Sequence, residues 1–432
     1  MTRSDVIIIG AGVCGLVAAR EAAKNGRKVI LLEARDRIGG RTFTSAEDGF
    51  QVPIEQGAEF VHGELPLTES LLKEAGLSPF PMEGKTYQAA NGRLQESEEF
   101  IEGFPELMAK LDEVEEDFSF SDFLERYFKD ERYNELRDSV IRYAQGYDAA
   151  DIRRVSTIAL REEWKNESGS APTRIRGGHR QLVGFLADES RKAGCDIHLS
   201  SVVKEIRWER DNVEALCEDG SNFYAHKALI TVPLGVLQAP PGSKGSIKFT
   251  PEIPDAFKAI NSMGFGSVIK IFLEFKNMFW EEDTFKEVKI RKAQDLGFLL
   301  SDAEVPTWWT RMPERLPLLT GWIAGPKALE LSVLEDTEII EKALEALSYI
   351  FGTGTEFLGG QLSKAKAVNW VKDPFTRGAY AYTTVEARQA LEKASEPVKG
   401  TLYFAGEAFY EGHAMGTVEA AITSGMQAAN KL

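Results

Sequence analysis

Lys270 stands in the apolar run Val268-Ile269-Lys270-Ile271-Phe272, with isoleucine on both sides. A lysine buried there without a partner would cost several kcal/mol, so it either faces solvent at a strand edge or does chemistry. A second group of residues stands at the other end of the chain. Gly10-Ala11-Gly12-Val13-Cys14-Gly15 follows a β-branched run, and Glu33 comes 18 residues after the third glycine. Gly10 allows a tight turn, Gly12 lets a pyrophosphate approach the backbone, and Gly15 lets a helix pack closely on a strand. The helix opening there offers unpaired N–H groups and a positive dipole end to phosphates. Glu33 can accept hydrogen bonds from an adenosine ribose 2′-hydroxyl, and its charge would repel a 2′-phosphate, which disfavours NADP. Together these residues predict a dinucleotide site. Cys14 fills a variable position of the loop and reads as packing.

The elements that must position these groups follow from periodicity. Residues 5–10 are a buried strand, 13–25 a helix ended by Gly26, and 28–32 the next buried strand, which makes a β-α-β unit. Residues 96–145 have helical spacing and dense charge, and the acidic run Glu113, Glu115, Glu116, Asp117 reads as a solvated face. From 196 to 238 the pattern is strand-like, through Ala228–Leu237. Strand-like segments recur from 245 to 275. Residues 334–350 predict an amphipathic helix, 401–406 a strand entering a glycine turn, and 417–430 a last helix. Pro240-Pro241 and Gly359-Gly360 are the best candidates for crossings between domains.

Glu33 runs directly into Ala34-Arg35-Asp36-Arg37-Ile38-Gly39-Gly40-Arg41. The second glycine pair would let backbone approach a pyrophosphate from the other side, and Arg41 could pair with it. Further motifs follow in order: Gln56-Gly57-Ala58-Glu59-Phe60-Val61-His62-Gly63, Gly177-Gly178, Val202-Val203, Thr231–Leu237, Asn369-Trp370 to Gly378-Ala379-Tyr380, and Phe404-Ala405-Gly406-Glu407. In these motifs, and over nearly its whole length, the chain resembles the flavin-dependent amine oxidase family. That family includes monoamine oxidases, polyamine oxidases, lysine-specific histone demethylases and L-amino-acid oxidases.

The resemblance implies an FAD cofactor and assigns expected roles. Gly57, Ala58 and Glu59 lie beside the flavin ring, Val203 clamps the adenine with its backbone, and Gly406 with Glu407 meets the ribityl chain and pyrophosphate. Lys270 holds a water against flavin N5, and Trp370 packs against the flavin. Tyr380 supplies one wall of an aromatic cage. Ala379 stands where monoamine oxidases carry a flavin-linking cysteine, so the FAD is expected to be non-covalent. Thr417 stands where monoamine oxidases have the second cage tyrosine. The helix that begins there directs its N–H groups at the flavin pyrimidine, with the backbone of Val418 near the C2 carbonyl. His62 matches a histidine used by several polyamine oxidases, and Glu59 could hold one end of a cationic substrate. His413 is near the flavin by sequence position only. Trp308-Trp309 reads as core rather than cavity lining.

The reaction implied is hydride transfer from a primary amine or polyamine to flavin N5. The resulting imine hydrolyses to an aldehyde plus ammonia or amine, and O₂ or another acceptor reoxidises the flavin. An L-amino-acid oxidase stays open but should need an arginine for the substrate carboxylate, which spacing does not assign. A flavin-binding scaffold with little turnover also stays open, supported only by the missing second cage aromatic.

The fold class expected is α/β, a two-domain flavoprotein. A Rossmann-like FAD-binding domain is drawn from about 1–80, 180–240 and 365–432. An α+β substrate-binding domain with a mostly antiparallel sheet is drawn from about 81–179 and 241–364. The 432 residues hold 51 Lys and Arg against 67 Asp and Glu, a net charge of −16. That balance argues against nucleic acid and against an anionic membrane surface. With 43% hydrophobic residues, global disorder is excluded. Three widely spaced cysteines predict no disulfide framework, and five histidines without an HxxH or HxxxH pair predict no metal site. The first strand starts at about residue 5, which leaves no room for a signal peptide, and neither a membrane span nor a tail anchor is expected. A cytoplasmic protein is expected, and a homodimer is left open.

Overall fold

The structure is a computed structural model that describes residues 3–46, 49–61, 63, 65–97, 101, 103–166, 172–282 and 290–432. Among them, the β-branched runs assemble into two large sheets, of eight and seven strands. In the first, Ser4–Ile9 pairs in parallel with Val29–Leu32 on one side and with Asn222–Ile230 on the other. Asp196–His198 extends it in parallel beyond Val29–Leu32. The first half of Asn222–Ile230 carries an antiparallel wing, Asn212–Cys217 and Val203–Glu209, while its second half pairs in parallel with Leu402–Phe404.

Both faces of this sheet are covered, so its central strand can be apolar throughout. Side chains alternate between the faces. Val6 and Ile8 join the core under the helices Val13–Lys24, Arg180–Lys192 and Val418–Lys431, with Leu16, Leu182 and Ile422. Ile7 and Ile9 join the opposite core under Pro254–Ser262 and Ala387–Ser395, with Ile260 and Ala394. The register aligns the strand ends. Ile9 lies opposite Leu32 and Ile230, and Ile230 lies opposite Phe404. Gly10, Glu33, Thr231 and Gly406 therefore emerge at one edge, although up to 396 positions separate them. Ligands of parallel α/β sheets bind at this carboxyl edge.

The second sheet runs Leu362–Asn369, Val268–Phe275, Leu318–Ala324, Thr307–Trp309, Leu296–Ser301, Lys85–Ala90, Arg93–Glu96, antiparallel except where Leu296–Ser301 meets Lys85–Ala90. Asp336–Phe351 packs behind it, started by a capping box between Glu335 and Glu338. The helices Phe104–Asp112, Phe120–Tyr127, Asn134–Gly146 and Thr157–Asn166 form a third packed region around Phe120, Phe123, Val140 and Trp164. No helix among the described residues is long and apolar enough to cross a membrane. The three cysteines are buried and free.

Three expectations change. The strand read through Leu237 stops at Ile230, because Pro233 caps a one-turn helix, Leu234–Leu237. The chain does not leave the first sheet at Pro240-Pro241. Lys248–Thr250 pairs with Val203–Glu209, and Pro254–Ser262 packs in the core of that sheet, so 248–262 belongs with the first sheet. Gly359-Gly360 falls inside the helix Thr355–Gln361 rather than at a crossing. The acidic run is solvated at Glu113, Glu115 and Glu116, whereas Asp117 accepts from the Ser156 hydroxyl and the Ile158 N–H at the start of the fourth helix of that region.

Candidate active site

The glycine loop leaves the first strand at Gly10, whose φ of +103° favours glycine. A Cβ on Gly15 would lie 1.9 Å from the Gly10 carbonyl oxygen, so Gly15 is required for helix–strand packing; it does not line the cavity. Gly12 differs. Its φ of −71° suits any residue, and a Cβ there would meet nothing within 4 Å. The requirement at Gly12 is thus for open space in front of the helix N-terminus, the shape a phosphate needs. Gly39 and Gly40 dock onto this loop, with the Gly39 N–H donating to Ala11 O at 2.8 Å. Glu33 is buried and accepts from the Ala11 N–H at 2.8 Å and the Arg35 N–H at 2.9 Å, which fixes its carboxylate at the edge. From the far end of the chain, Glu407 accepts from Arg41 at 2.7 Å and from the Ala381 N–H at 3.2 Å. Arg41 carries five N–H donors, so this pair does not exhaust it.

One cavity of about 1660 Å³ joins these groups. That exceeds the roughly 300–1,000 Å³ of an ordinary small-molecule pocket and leaves room for a dinucleotide and a second molecule. Gly10, Gly12, Glu33, Ala34, Arg35, Gly39, Gly40, Arg41, Gly57, Ala58, Glu59, Val203, Lys270, Trp370, Tyr380, Gly406, Glu407, Thr417 and Val418 all line it. His62 lies outside the described residues. His413 also lines the cavity and is exposed. Burial pushes the Cys14 thiol far up, in keeping with a packing role.

Lys270 is 1% exposed and every residue of its strand is buried, so it does not sit at a solvent-facing edge. Its Nζ donates to Glu55 O at 2.6 Å, Gly57 O at 3.2 Å and Glu59 Oε2 at 2.6 Å. An ammonium has three N–H donors, and all three have protein acceptors. Holding a water against a flavin would require one of them to be released. Glu59 is equally committed: its other oxygen accepts from Arg174 Nε and from the Trp309 indole, each at 3.1 Å. Both oxygens of Glu59, expected to hold one end of a cationic substrate, thus already accept from protein donors. Burial alone would favour its neutral form, but the positive charges of Lys270, Arg174 and Arg311 outweigh it and hold the carboxyl at about 2. A depressed carboxyl stabilises the fold above its ordinary pKa and loses that contribution as pH falls through the folded value. The thermal-stability margin of wild type over Glu59→Gln should therefore shrink between pH 4.5 and about 2. A margin constant over that interval would show that the fold does not depress the Glu59 carboxyl.

The remaining walls are aromatic and acidic. The Trp370 indole donates to Gln56 O at 2.9 Å, and the Tyr380 hydroxyl donates to Tyr147 O. Burial, with Asp148 and Glu163 nearby, keeps the Tyr380 phenol well above its ordinary pKa and so neutral. Tyr143 and Tyr147 stack at 5.3 Å, and Trp164 donates to Asp148 at 3.2 Å; all four line the cavity. The Thr417 hydroxyl caps its own helix, accepting from the Ala420 N–H at 3.1 Å and donating to Ala414 O at 2.7 Å. Trp308 is core, as expected, but Trp309 lines the cavity.

A family model, flavin containing amine oxidoreductase, matches residues 13–432. The chain belongs to that family. Polyamine oxidase 5 of Oryza sativa subsp. japonica is 31% identical, covering 98% of this chain and 87% of that protein. Lysine-specific histone demethylase 2 of Homo sapiens is 28% identical over 99% of this chain, which spans only 53% of the demethylase. The chain thus spans about half the length of that relative. Among solved structures, putrescine oxidase bound to putrescine matches with a TM-score of 0.81 at 21% identity, covering 99% of this chain and 98% of that one. Cyclohexylamine oxidase from Brevibacterium oxydans matches with a TM-score of 0.79, also at 21% identity, over 99% and 98% of the two chains. Membership of the flavin containing amine oxidoreductases makes a flavin the group for this cavity, and the Gly12 cradle fits its phosphates.

Sequence reasoning did not find Arg174, Tyr147, Asp148 or Trp164. Arg174 lies on a three-residue strand, Thr173–Ile175, too short for alternation to separate inward from outward. The other three lie just beyond the stretch 96–145 read as charged helices, where no motif marks them.

Proposed function

We propose that this protein is an FAD-dependent oxidase of a primary amine or polyamine, with the FAD held non-covalently. The observation that carries the reading is the continuity of one cavity, from the glycine cradle past Lys270 to a wall of aromatic rings and carboxylates. Ring faces and carboxylates both attract ammonium groups, and Asp148, Glu162 and Glu163 would suit a substrate with more than one positive charge. The flavin supplies the acceptor for a hydride from the amine carbon, which leaves an imine for hydrolysis. The protein's part is to orient a neutral amine, exclude bulk water and stabilise negative charge on the reduced cofactor. The N–H groups at the start of Val418–Lys431 suit that last task.

An amino-acid oxidase is less well supported. Among the described residues, the lysines and arginines lining the cavity are Arg35 and Arg41 near the glycine loops, Lys270 with its donors committed, and the exposed Arg142. None of these offers a buried guanidinium to a carboxylate at the aromatic end.

Anaerobic mixing with a panel of monoamines, diamines, polyamines and L-amino acids tests the proposal. Di- and polyamines should bleach the flavin absorbance fastest, and acid precipitation should then release the flavin into the supernatant, because Ala379 offers no thiol. Bleaching by amino acids alone, or by nothing in the panel, would overturn the reading.

A further inference from the structure

Lys270 and Glu59 belong to the cavity wall, but Arg174 stands behind them. It is 3% exposed and does not line the cavity. Its Nη2 lies 3.0 Å from Glu59 Oε1 and donates to Thr310 O at 2.8 Å, while Nη1 donates to Met312 O at 3.3 Å. Its guanidinium carbon sits 5.0 Å from the centre of the Phe60 ring. Two carbonyls and a ring therefore fix the guanidinium, and the guanidinium with the Trp309 indole fixes Glu59 Oε1. That leaves Oε2 directed at Lys270, at 2.6 Å. A planar fork of this kind sets geometry in a way a point charge does not.

We propose that Arg174 is a positioning residue for the flavin reaction: by locking the Glu59 carboxylate it holds Lys270 as a charged ammonium at the cavity wall, and so raises the tendency of a bound flavin to accept electrons. The proposal rests on the reading that the cavity holds a flavin. Burial presses Lys270 toward its neutral amine, and the Glu59 carboxylate opposes that, with Glu55 adding to it. A positive charge next to the cofactor favours the reduced, more negative form. Without Arg174 the carboxylate is free to turn from Lys270, and a buried lysine without its counter-ion favours the neutral amine.

The test is equilibrium reduction of the FAD-loaded protein against a reference dye, without oxygen. The dye supplies the electrons, so a wrong choice of amine class leaves this test standing, whereas wild-type protein that takes up no flavin would overturn both readings. Arg174→Gln should shift the reduced-to-oxidised flavin ratio toward oxidised by about tenfold or more, about 30 mV for a two-electron couple. Glu59→Gln should shift it in the same direction, and so should Arg174→Lys, because a point charge keeps the charge but not the fork. Because Arg174 acts through Glu59, adding Arg174→Gln to Glu59→Gln should change the ratio by less than about threefold, where independent effects would multiply. An unchanged ratio in Arg174→Gln, even with a lowered melting temperature, would overturn the proposal, as would multiplying effects. If Arg174→Gln does not fold, an unchanged ratio in Glu59→Gln overturns it and a shifted one supports it.

Discussion

A Gly12→Val variant is expected to fold with wild-type stability and to hold no flavin, while Gly15→Ala is expected to lose the fold itself. The two glycines are three residues apart in one motif, and their surroundings are opposite. Gly12 has extended backbone angles that valine adopts readily, and its added side chain would meet no protein atom within 4 Å of the Cβ. The side chain would project into the cavity in front of the first turn of Val13–Lys24, where phosphate oxygens must come to reach the N–H groups. Loss of that approach should weaken flavin binding by about 100-fold or more, on the order of 3 kcal/mol. At Gly15 the added Cβ would lie 1.9 Å from the Gly10 carbonyl oxygen and 2.8 Å from the Thr231 hydroxyl. The first of these is backbone and cannot rotate away, so helix and strand must separate, at a cost at or above the ~1–3 kcal/mol of ordinary overpacking. Thermal unfolding of the flavin-free proteins and visible absorbance after reconstitution separate the two cases. A yellow Gly12→Val protein with wild-type affinity would show that the phosphates do not sit against this loop.

The same contrast explains how far the sequence could be read. Backbone requirements are local and leave glycine as their trace, which is why the cradle, Gly39-Gly40 and the Gly406 turn were legible. The central strand was legible because an uninterrupted β-branched run needs cover on both faces. Lys270 was legible as an anomaly, since a single charge among isoleucines breaks the pattern. Its partners were not. Glu59 stands in a recognised motif and invites a substrate-binding role, yet what decides its role is Arg174, 115 residues away on a short strand. Trp308 and Trp309 are neighbours of one chemistry, and a one-residue alternation sends one into the core and the other to the cavity. Tertiary pairing of this kind has no signal in composition or spacing. The passage from Ile230 into a helical turn failed for a different reason: apolar residues run on through Leu237, and only Pro233 marks the change.

Lys270→Met is expected to slow flavin reduction by bound amine about 10²–10³-fold, the usual cost of removing one preorganised charge at a reacting centre. Amine affinity should change by only a few-fold, so the loss falls on kcat. The folded state should tolerate the change. Methionine replaces most of the apolar stem, and Glu59 keeps Arg174 and Trp309 on one oxygen, so its carboxylate is not orphaned. The cost is then nearer the ~1–3 kcal/mol of a lost buried hydrogen-bond partner than the ~3–5 kcal/mol of a broken isolated ion pair. What is lost is a side chain tied at once to Glu55 O, Gly57 O and Glu59. That segment also carries Gln56 O, the acceptor for the Trp370 indole, so loosening it disturbs two walls of the cavity together. Lys270→Arg should not rescue the rate. The site is 1% exposed with acceptors at 2.6 Å, and a planar guanidinium cannot reproduce the tetrahedral set of three donors. Anaerobic stopped-flow absorbance measures the reduction rate directly. Reduction at the wild-type rate in Lys270→Met would refute its place in the reaction and leave the Arg174–Glu59–Lys270 triad a structural feature.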